Sequence, residues 1–398
     1  MTLNMYLTVG LAIGVYYLGV FIVNNVYIIR KYLIPAPVVG GIVIALIILL
    51  LRVTGILTIE FDATFQTFFM LLFFSSIGFN GRINMIRKGG ILLVIMIIAV
   101  TILIIIENLV GAGIVTLFGE HPLLGVAIGS VPLVGGHGTA AAFGPLIEAM
   151  GVPHAETASY AAATYGLVAG CMIGGPLAYL RIKNLKKSSG QQSQEFNAKS
   201  IDNLNDEHLE SKPLNQNKLM LAFSLLLLCV GAGTVITGVL EQFMTFSAAV
   251  GALLAGLIVR NICDFKRIRL PDKEINITGD IFLNIFLAMA MMNMKLWELI
   301  DLAGPMVVTL LVQTIIVALF AYYVIYNIMG RDYESSVILS GVCGFGLGAT
   351  PNAIANMDAI TGKYGPAPQA FLIIPIVGSM FADIVNAFVI TFFMNIFG

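Results

Sequence analysis

Two glycine-rich strings of similar composition interrupt an otherwise lipid-like chain, one in each half: Gly135-Gly136-His137-Gly138-Thr139-Ala140 and Gly344-Phe345-Gly346-Leu347-Gly348-Ala349-Thr350-Pro351. In hydrocarbon an unpaired backbone N–H or C=O finds no water. Broken backbone at membrane depth therefore survives only where protein buries it or where it lines a polar cavity. A pair of such breaks in corresponding positions of two halves points to a transport site. The surroundings justify treating the bilayer as solvent, because 58% of the 398 residues are hydrophobic and 11% are charged, against roughly 25% charged in soluble domains.

Apolar stretches of spanning length occur at 5–29, 37–54, 62–79, 91–118 and 156–180, and again at 218–240, 246–260, 279–297, 304–329 and 367–394. The glycine strings lie in shorter, interrupted stretches at 121–150 and 335–361. Residues 184–216, with Lys186-Lys187-Ser188-Ser189-Gly190-Gln191-Gln192 at their head, carry too little apolar surface to fold alone and read as a flexible linker. The organisation expected is a first unit over 1–183, the linker, and a second unit over 217–398. Met1 to Asn4 lacks a basic n-region and the run from Met5 is long enough to span, so it reads as a membrane helix rather than a cleaved signal. Cys171, Cys229, Cys263 and Cys343 stand singly, which supports neither a metal cage nor a disulfide framework.

The halves repeat in residues as well as hydropathy. Val39-Gly40 recurs as Val250-Gly251, Phe65 and Phe69 as Phe282 and Phe286, Gly136-x-Gly138 as Gly346-x-Gly348, and Gly170-x-Met172 as Gly378-x-Met380, all at offsets of 208 to 217 residues. Five spans per half is an odd number, so the second half enters the membrane inverted. Basic residues set the orientation, since cytoplasmic flanks are enriched in them. With the N-terminus outside, 19 of the 21 lysines and arginines fall on inner loops, and Arg52 and Lys295 are the exceptions. Both termini are then outside and the linker is cytoplasmic. The fold expected is an all-α polytopic membrane protein of about ten transmembrane helices in two inverted five-helix repeats, each with a re-entrant hairpin, the two hairpins meeting near the midplane from opposite sides.

That geometry supplies its own chemistry. Every basic residue sits near a helix end, so an anion at the centre must use the positive ends of short helices, with backbone N–H groups made approachable by glycine. The candidate substrate residues are Gly136, His137, Gly138, Thr139, Gly346, Gly348, Thr350, Asn352 and Asn356, and the four tip glycines are treated alike. His137 either touches substrate or makes a structural hydrogen bond. Asp383 in the last span, Asn386 at i+3, and the hydroxyls of Ser130 and Thr350 are the candidate sodium ligands, because a carboxylate at that depth is costly enough to imply use. No cofactor is expected. Glu107-Asn108 mirrors Gln313-Thr314 and reads as a polar contact between helices. Ser75 and Ser76 either line the site or bond neighbouring helices, and Gly10-x-x-x-Gly14 reads as a helix-packing face.

At these residues the chain resembles the bacterial sodium/glutamate symporter family. The matching strings are Phe286-Leu287-Ala288-Met289-Ala290, Lys295-Leu296-Trp297-Glu298-Leu299, Cys343 to Met357, Phe381 to Val385, Val38-Val39-Gly40-Gly41 and Gly135 to Thr139. The resemblance covers essentially the whole chain. It implies sodium-coupled uptake of L-glutamate across the bacterial inner membrane, crossed re-entrant loops, a homodimer and an elevator motion. The chain departs from the family at Val134, at Phe143-Gly144-Pro145, and at Glu107 and Asp358, which stand where a neutral amide is expected.

Other classes fit less of this pattern. A channel favours identical filters around an axis over two dissimilar hairpins in one chain. An intramembrane hydrolase needs a nucleophile with a base, and Ser130 lies in no G-x-S-x-G string. Gly344-x-Gly346-x-Gly348 has no preceding strand and no following lysine, so it is not a nucleotide loop. No nucleic-acid partner is indicated. A sodium- or proton-coupled carrier of another small dicarboxylate remains the alternative.

Overall fold

Without water to bond the backbone, long apolar runs are driven into helices. In the computed structural model, which describes residues 2–188, 214–242 and 246–398, they form α1 (Met5–Asn25), α2 (Tyr27–Lys31), α3 (Ala36–Val53), α4 (Thr64–Asn80) and α5 (Ile83–Leu117). The first interrupted stretch gives α6 (Pro122–Ala127), α7 (Ser130–Leu133) and α8 (Gly136–Ala149), and α9 (Ala155–Ser188) follows. Next come α10 (Gln216–Leu240), α11 (Ala248–Phe265), α12 (Asp272–Met292), α13 (Leu299–Leu319) and α14 (Tyr326–Ile328). The second interrupted stretch gives α15 (Tyr333–Leu347) and α16 (Thr350–Tyr364), and the chain ends in α17 (Pro368–Ile376) and α18 (Ala382–Phe397). Residues Phe320–Ile325 join α13 to α14 and Val377–Phe381 join α17 to α18 as π-helical turns. Thr2–Leu3 pairs in parallel with Glu60–Phe61.

Among the described residues, 9 helical segments are long and apolar enough to cross a membrane. Helix α4 adds an apolar helix of 17 residues, about 25 Å at the standard rise. The chain is thus an all-helical polytopic membrane protein. Several boundaries differ from the sequence expectation: α5 starts at Ile83 rather than 91 and α13 at Leu299 rather than 304. Helix α12 starts at Asp272, seven residues early, because the Asp272 carboxylate is paired with Arg82 and Arg260 and its charge is no obstacle to a helix start. Residues 184–188 of the expected linker continue α9, Gln216 opens α10, and 189–213 lie outside the described residues.

The helices sort into two bundles. In the first, α1, α3, α4, α10, α11 and α12 pack mainly on one another; in the second, α5 to α9, α13 and α15 to α18 do so, with sparse contact between the two. Glycines set the close crossings of the first bundle. A Cβ on Gly40 would fall 2.0 Å from the Val15 carbonyl oxygen, and one on Gly251 would fall 2.4 Å from that of Gly233. The duplicated Val-Gly pair therefore does the same job twice, seating the second long helix of each half against its first. Gly78 and Gly256 bring α4 and α11 together in the same way, reaching Leu253 O and Ser75 O. The duplicated phenylalanines meet, Phe69 stacking on Phe282 at 5.7 Å. Gly10 and Gly14 instead have nothing within 4 Å, so these two glycines meet no other helix among the described residues. Ser75 donates to Leu226 O and Ser76 to Phe73 O, which makes them bonds between and within helices.

Candidate functional site

The two glycine strings break their helices at different points. In the first, Gly129 leaves the helical conformation (φ −96°, ψ −125°) between α6 and α7, and Gly136 opens α8 with φ +63°, a left-handed conformation that glycine adopts without steric cost. In the second, Gly348 (φ −146°, ψ −91°) leaves the helical conformation and Ala349 (φ −160°, ψ 162°) is extended between α15 and α16. Helices α15 and α16 run back along each other. A Cβ on Gly344 would lie 2.4 Å from Ala353 Cα, and Asn356 Nδ2 donates to Ser340 O at 3.1 Å.

The breaks meet. A Cβ on Gly136 would stand 3.3 Å from the Gly348 carbonyl oxygen. The N-terminus of α8 therefore begins beside the residue that precedes the N-terminus of α16. Neither helix start carries a side-chain cap, and no lysine or arginine lies between Lys88 and Arg181 or between Arg331 and Lys363. Two uncapped helix N-termini side by side, with their partial positive charge and free N–H groups, form a ready anion site.

Each break is braced by the same two spans. On α9, Thr164 receives His137 and Gly166 receives the second break. His137 Nε2 lies 3.0 Å from Thr164 Oγ1, whose own hydrogen goes to Tyr160 O, so the imidazole donates from Nε2. A Cβ on Gly166 would fall 1.8 Å from Leu347 O, which leaves that position no larger choice. Asn352 Nδ2 donates to Leu167 O at 2.8 Å and Asn356 Nδ2 to Gly170 O at 2.9 Å, stitching α16 to α9. The donors of both amides are thus engaged, and Asn352 Oδ1 remains buried without a partner.

The final span contacts both breaks too. Ser130 Oγ lies 2.7 Å from Asn386 Oδ1 and 3.0 Å from Asn108 Oδ1, while Asn386 Nδ2 donates to Ser130 O at 2.8 Å. One hydroxyl hydrogen thus serves two amide oxygens, a local surplus of oxygen lone pairs. Thr350 stands elsewhere on that span, its Oγ1 3.0 Å from where a Gly378 Cβ would be. Asp383 lies in the first turn of α18, one helical turn before Asn386, and has no hydrogen-bond or ionic partner among the described residues.

The structure therefore brings Gly136 and Gly348 together, Ser130 with Asn386, and Thr350 with the final span. It separates other members of the set. Gly346 sits inside α15 and faces Leu103 and Val317, Gly138 faces Phe73 and Leu283 across the bundle boundary, and Thr139 packs back on Gly135. Asn108, which accepts from both Ser130 Oγ and Ser130 N–H, was legible only as half of a polar pair. The mirrored pair supplies the expected contact between helices, since Gln313 Nε2 donates to Glu107 O at 2.6 Å and Thr314 Oγ1 shares a bond with Tyr165. The Glu107 carboxyl oxygens are buried and unpartnered.

Comparison with known proteins bears on this arrangement. A family model described as sodium/glutamate symporter matches residues 1–366. The chain is 39% identical over 385 residues to a protein of Escherichia coli (strain K12) named sodium/glutamate symporter, covering 95% of this chain and 94% of that one. It is 36% identical over 392 residues to a protein of the same name from Haemophilus influenzae, covering 97% and 96%.

Proposed function

The chain belongs to the sodium/glutamate symporter family, and from that premise we propose that it carries glutamate with sodium across the bacterial inner membrane, holding the substrate where the two glycine breaks meet. The observation that carries this reading is the contact between Gly136 and Gly348, which sets two uncapped helix N-termini beside each other. Glutamate has two carboxylates, and each helix start offers N–H groups to one of them. Its ammonium needs oxygen acceptors, which the freed carbonyls at the breaks supply. Of the side chains, Thr139 and Thr350 flank the helix starts. His137, Asn352 and Asn356 act mainly by fixing the tips on α9.

Sodium binds, on this reading, on the final span. Ser130 Oγ, Asn386 Oδ1 and Asn108 Oδ1 converge with one hydrogen among them, and a hard cation prefers oxygen ligands of this kind. Asp383, without a basic partner, supplies the compensating negative charge. The repeats are inverted and each break belongs to a re-entrant hairpin, with both termini outside and the linker inside. In support, the two basic residues assigned outside lie together, Arg52 over the Trp297 ring and Lys295 beside Glu298, while Arg82, Arg260, Arg267 and Arg269 gather around one cavity.

Access changes by movement of the second bundle past the first. Both tips are tied to α9 and to the final span, so parting them would break bonds such as Ser130–Asn386, whereas the bundle boundary is sparsely bonded. A homodimer formed through the first bundle would hold that scaffold still. Glutamate at neutral pH carries a net charge of −1, so two sodium ions make uptake electrogenic, each net charge drawing about 2.3 kcal/mol from a 100 mV potential. Labelled glutamate uptake in proteoliposomes should require a sodium gradient and rise when valinomycin imposes an inside-negative potential. Uptake that ignores sodium sinks the proposal, and uptake that needs sodium but ignores the potential limits the coupling to one ion.

A further inference from the structure

A cavity of ≈ 440 Å³ opens at the ends of α4, α11 and α12 and is lined by Arg82, Arg260, Arg267 and Arg269 with Asp264 and Asp272. The Asp272 carboxylate bridges Arg82 and Arg260, and Asp264 pairs with Arg260 at 3.1 Å. Arg260 is 3% exposed, and its Nε is buried without a partner. The aspartates thus fix two guanidiniums in place, and Arg267 and Arg269 form no ion pair among the described residues, so the lining carries a surplus of positive charge. Arg267 stands just after α11 at φ +57°. There Ile268 N–H bonds Cys263 O and Arg267 N–H bonds Asp264 O, a helix-ending turn that ordinarily selects glycine.

The rim is apolar. Ile268, which lines the cavity, is 52% exposed, and Phe265, next in sequence to the lining residue Asp264, is 89% exposed, both at the end of a membrane helix. A free anion has no use for such a rim, whereas a lipid places its phosphate in the arginines and its acyl chains on Phe265 and Ile268. We propose that this cavity binds the phosphate headgroup of an anionic phospholipid from the leaflet at the arginine-rich end. The site abuts the moving parts, since the Arg82 N–H contacts Met380 Sδ in the final span.

The test is native mass spectrometry of the full chain in mild detergent, titrated with phosphatidylglycerol, phosphatidylcholine or inorganic phosphate. Phosphatidylglycerol should be retained in preference to phosphatidylcholine. The Arg267→Ala/Arg269→Ala variant should bind phosphatidylglycerol about 25-fold more weakly, about fivefold per basic residue, and Arg267→Lys/Arg269→Lys should recover most of the loss. Arg30→Ala, at an exposed basic position away from the cavity, should bind normally. The proposal is overturned if the double alanine variant retains the lipid as well as the parent chain, if phosphatidylcholine binds equally, or if inorganic phosphate displaces the lipid at matched concentration. Gel filtration and melting temperature confirm that the variants fold, which separates loss of the site from loss of the protein.

Discussion

Alanine substitution at the four tip glycines should produce a graded series, because the structure gives each a different reason to be glycine. At Gly136 the backbone is left-handed, and a Cβ there costs about 1–2 kcal/mol, which reduces the population of this tip conformation about 5- to 30-fold. Apparent affinity for a ligand that needs that conformation falls by the same factor. At Gly348 φ is negative (−146°), so the objection is steric: a Cβ would meet Asn352 Nδ2 at 2.9 Å, Gly344 O at 3.1 Å and Leu167 Cα at 3.1 Å. Two of these three atoms belong to backbone and cannot rotate away, and overpacking of this kind costs about 1–3 kcal/mol. Gly138 has only the edge of the Phe73 ring at 3.0 Å, which can shift.

Gly346 is the informative member of the series. Its neighbours would be Leu103 Cδ2 at 3.4 Å and Val317 Cγ1 at 3.5 Å, ordinary contacts, and it lies within helix α15, where alanine is favoured over glycine by about 0.5–1 kcal/mol. Gly346→Ala should therefore melt no lower than the parent and transport with a near-normal KM. Sodium-driven glutamate uptake at matched protein density, read as KM and maximal rate beside a melting curve for each variant, resolves the order. Equal damage at Gly346 and Gly348, or normal uptake by Gly136→Ala, would refute the assignment of the tip to backbone geometry.

Three further outcomes are expected. Asp383→Asn should abolish sodium-coupled uptake while leaving a folded, monodisperse protein, since a bound cation supplies the charge that this carboxylate lacks; normal sodium-dependent uptake by the variant would make it structural only. Glu107→Gln should raise the melting temperature and keep transport, because it replaces a buried carboxyl whose two oxygens have no partner with a neutral amide of the same shape, and buried unpaired polar atoms cost about 1–3 kcal/mol, more when charged; a lower melting temperature would show that the carboxyl is used. With hairpins entering from opposite sides, Ala140→Cys should react with an impermeant thiol reagent from outside and Ala349→Cys from inside, each protected by glutamate with sodium; labelling of both from one side only would contradict the inverted arrangement.

The spans were legible because length and apolarity alone dictate them, and the glycine strings were legible because glycine is conspicuous in helices that otherwise read as hydrocarbon. What could not be read was which partner each small residue meets. Gly166 and Gly10 look alike in sequence, yet a methyl on one would strike Leu347 O and on the other would meet nothing within 4 Å. The start of α12 at Asp272 could not be read from apolarity, because its two arginine partners lie elsewhere in the chain, one of them 190 residues away. Gly346 and Gly348 differ only in that the helix ends between them, a distinction set by tertiary contact with α9.

The division into two bundles follows from how the duplicated segments are used. The first two long helices of each half are locked by backbone-to-glycine contacts, Gly40 on Val15 and Gly251 on Gly233, and such contacts tolerate almost no sliding because a shift of one residue replaces glycine with a side chain. The bundle boundary is built differently, from side-chain contacts such as those of Gly138 with Phe73 and Leu283, which can be exchanged for similar ones at another level. Within the second bundle, polar bonds from α9 and from the final span reach both breaks. Rigid crossings inside each bundle and exchangeable ones between them are the physical basis of the proposed motion, in which the site would travel with its own walls and the two tips would stay together.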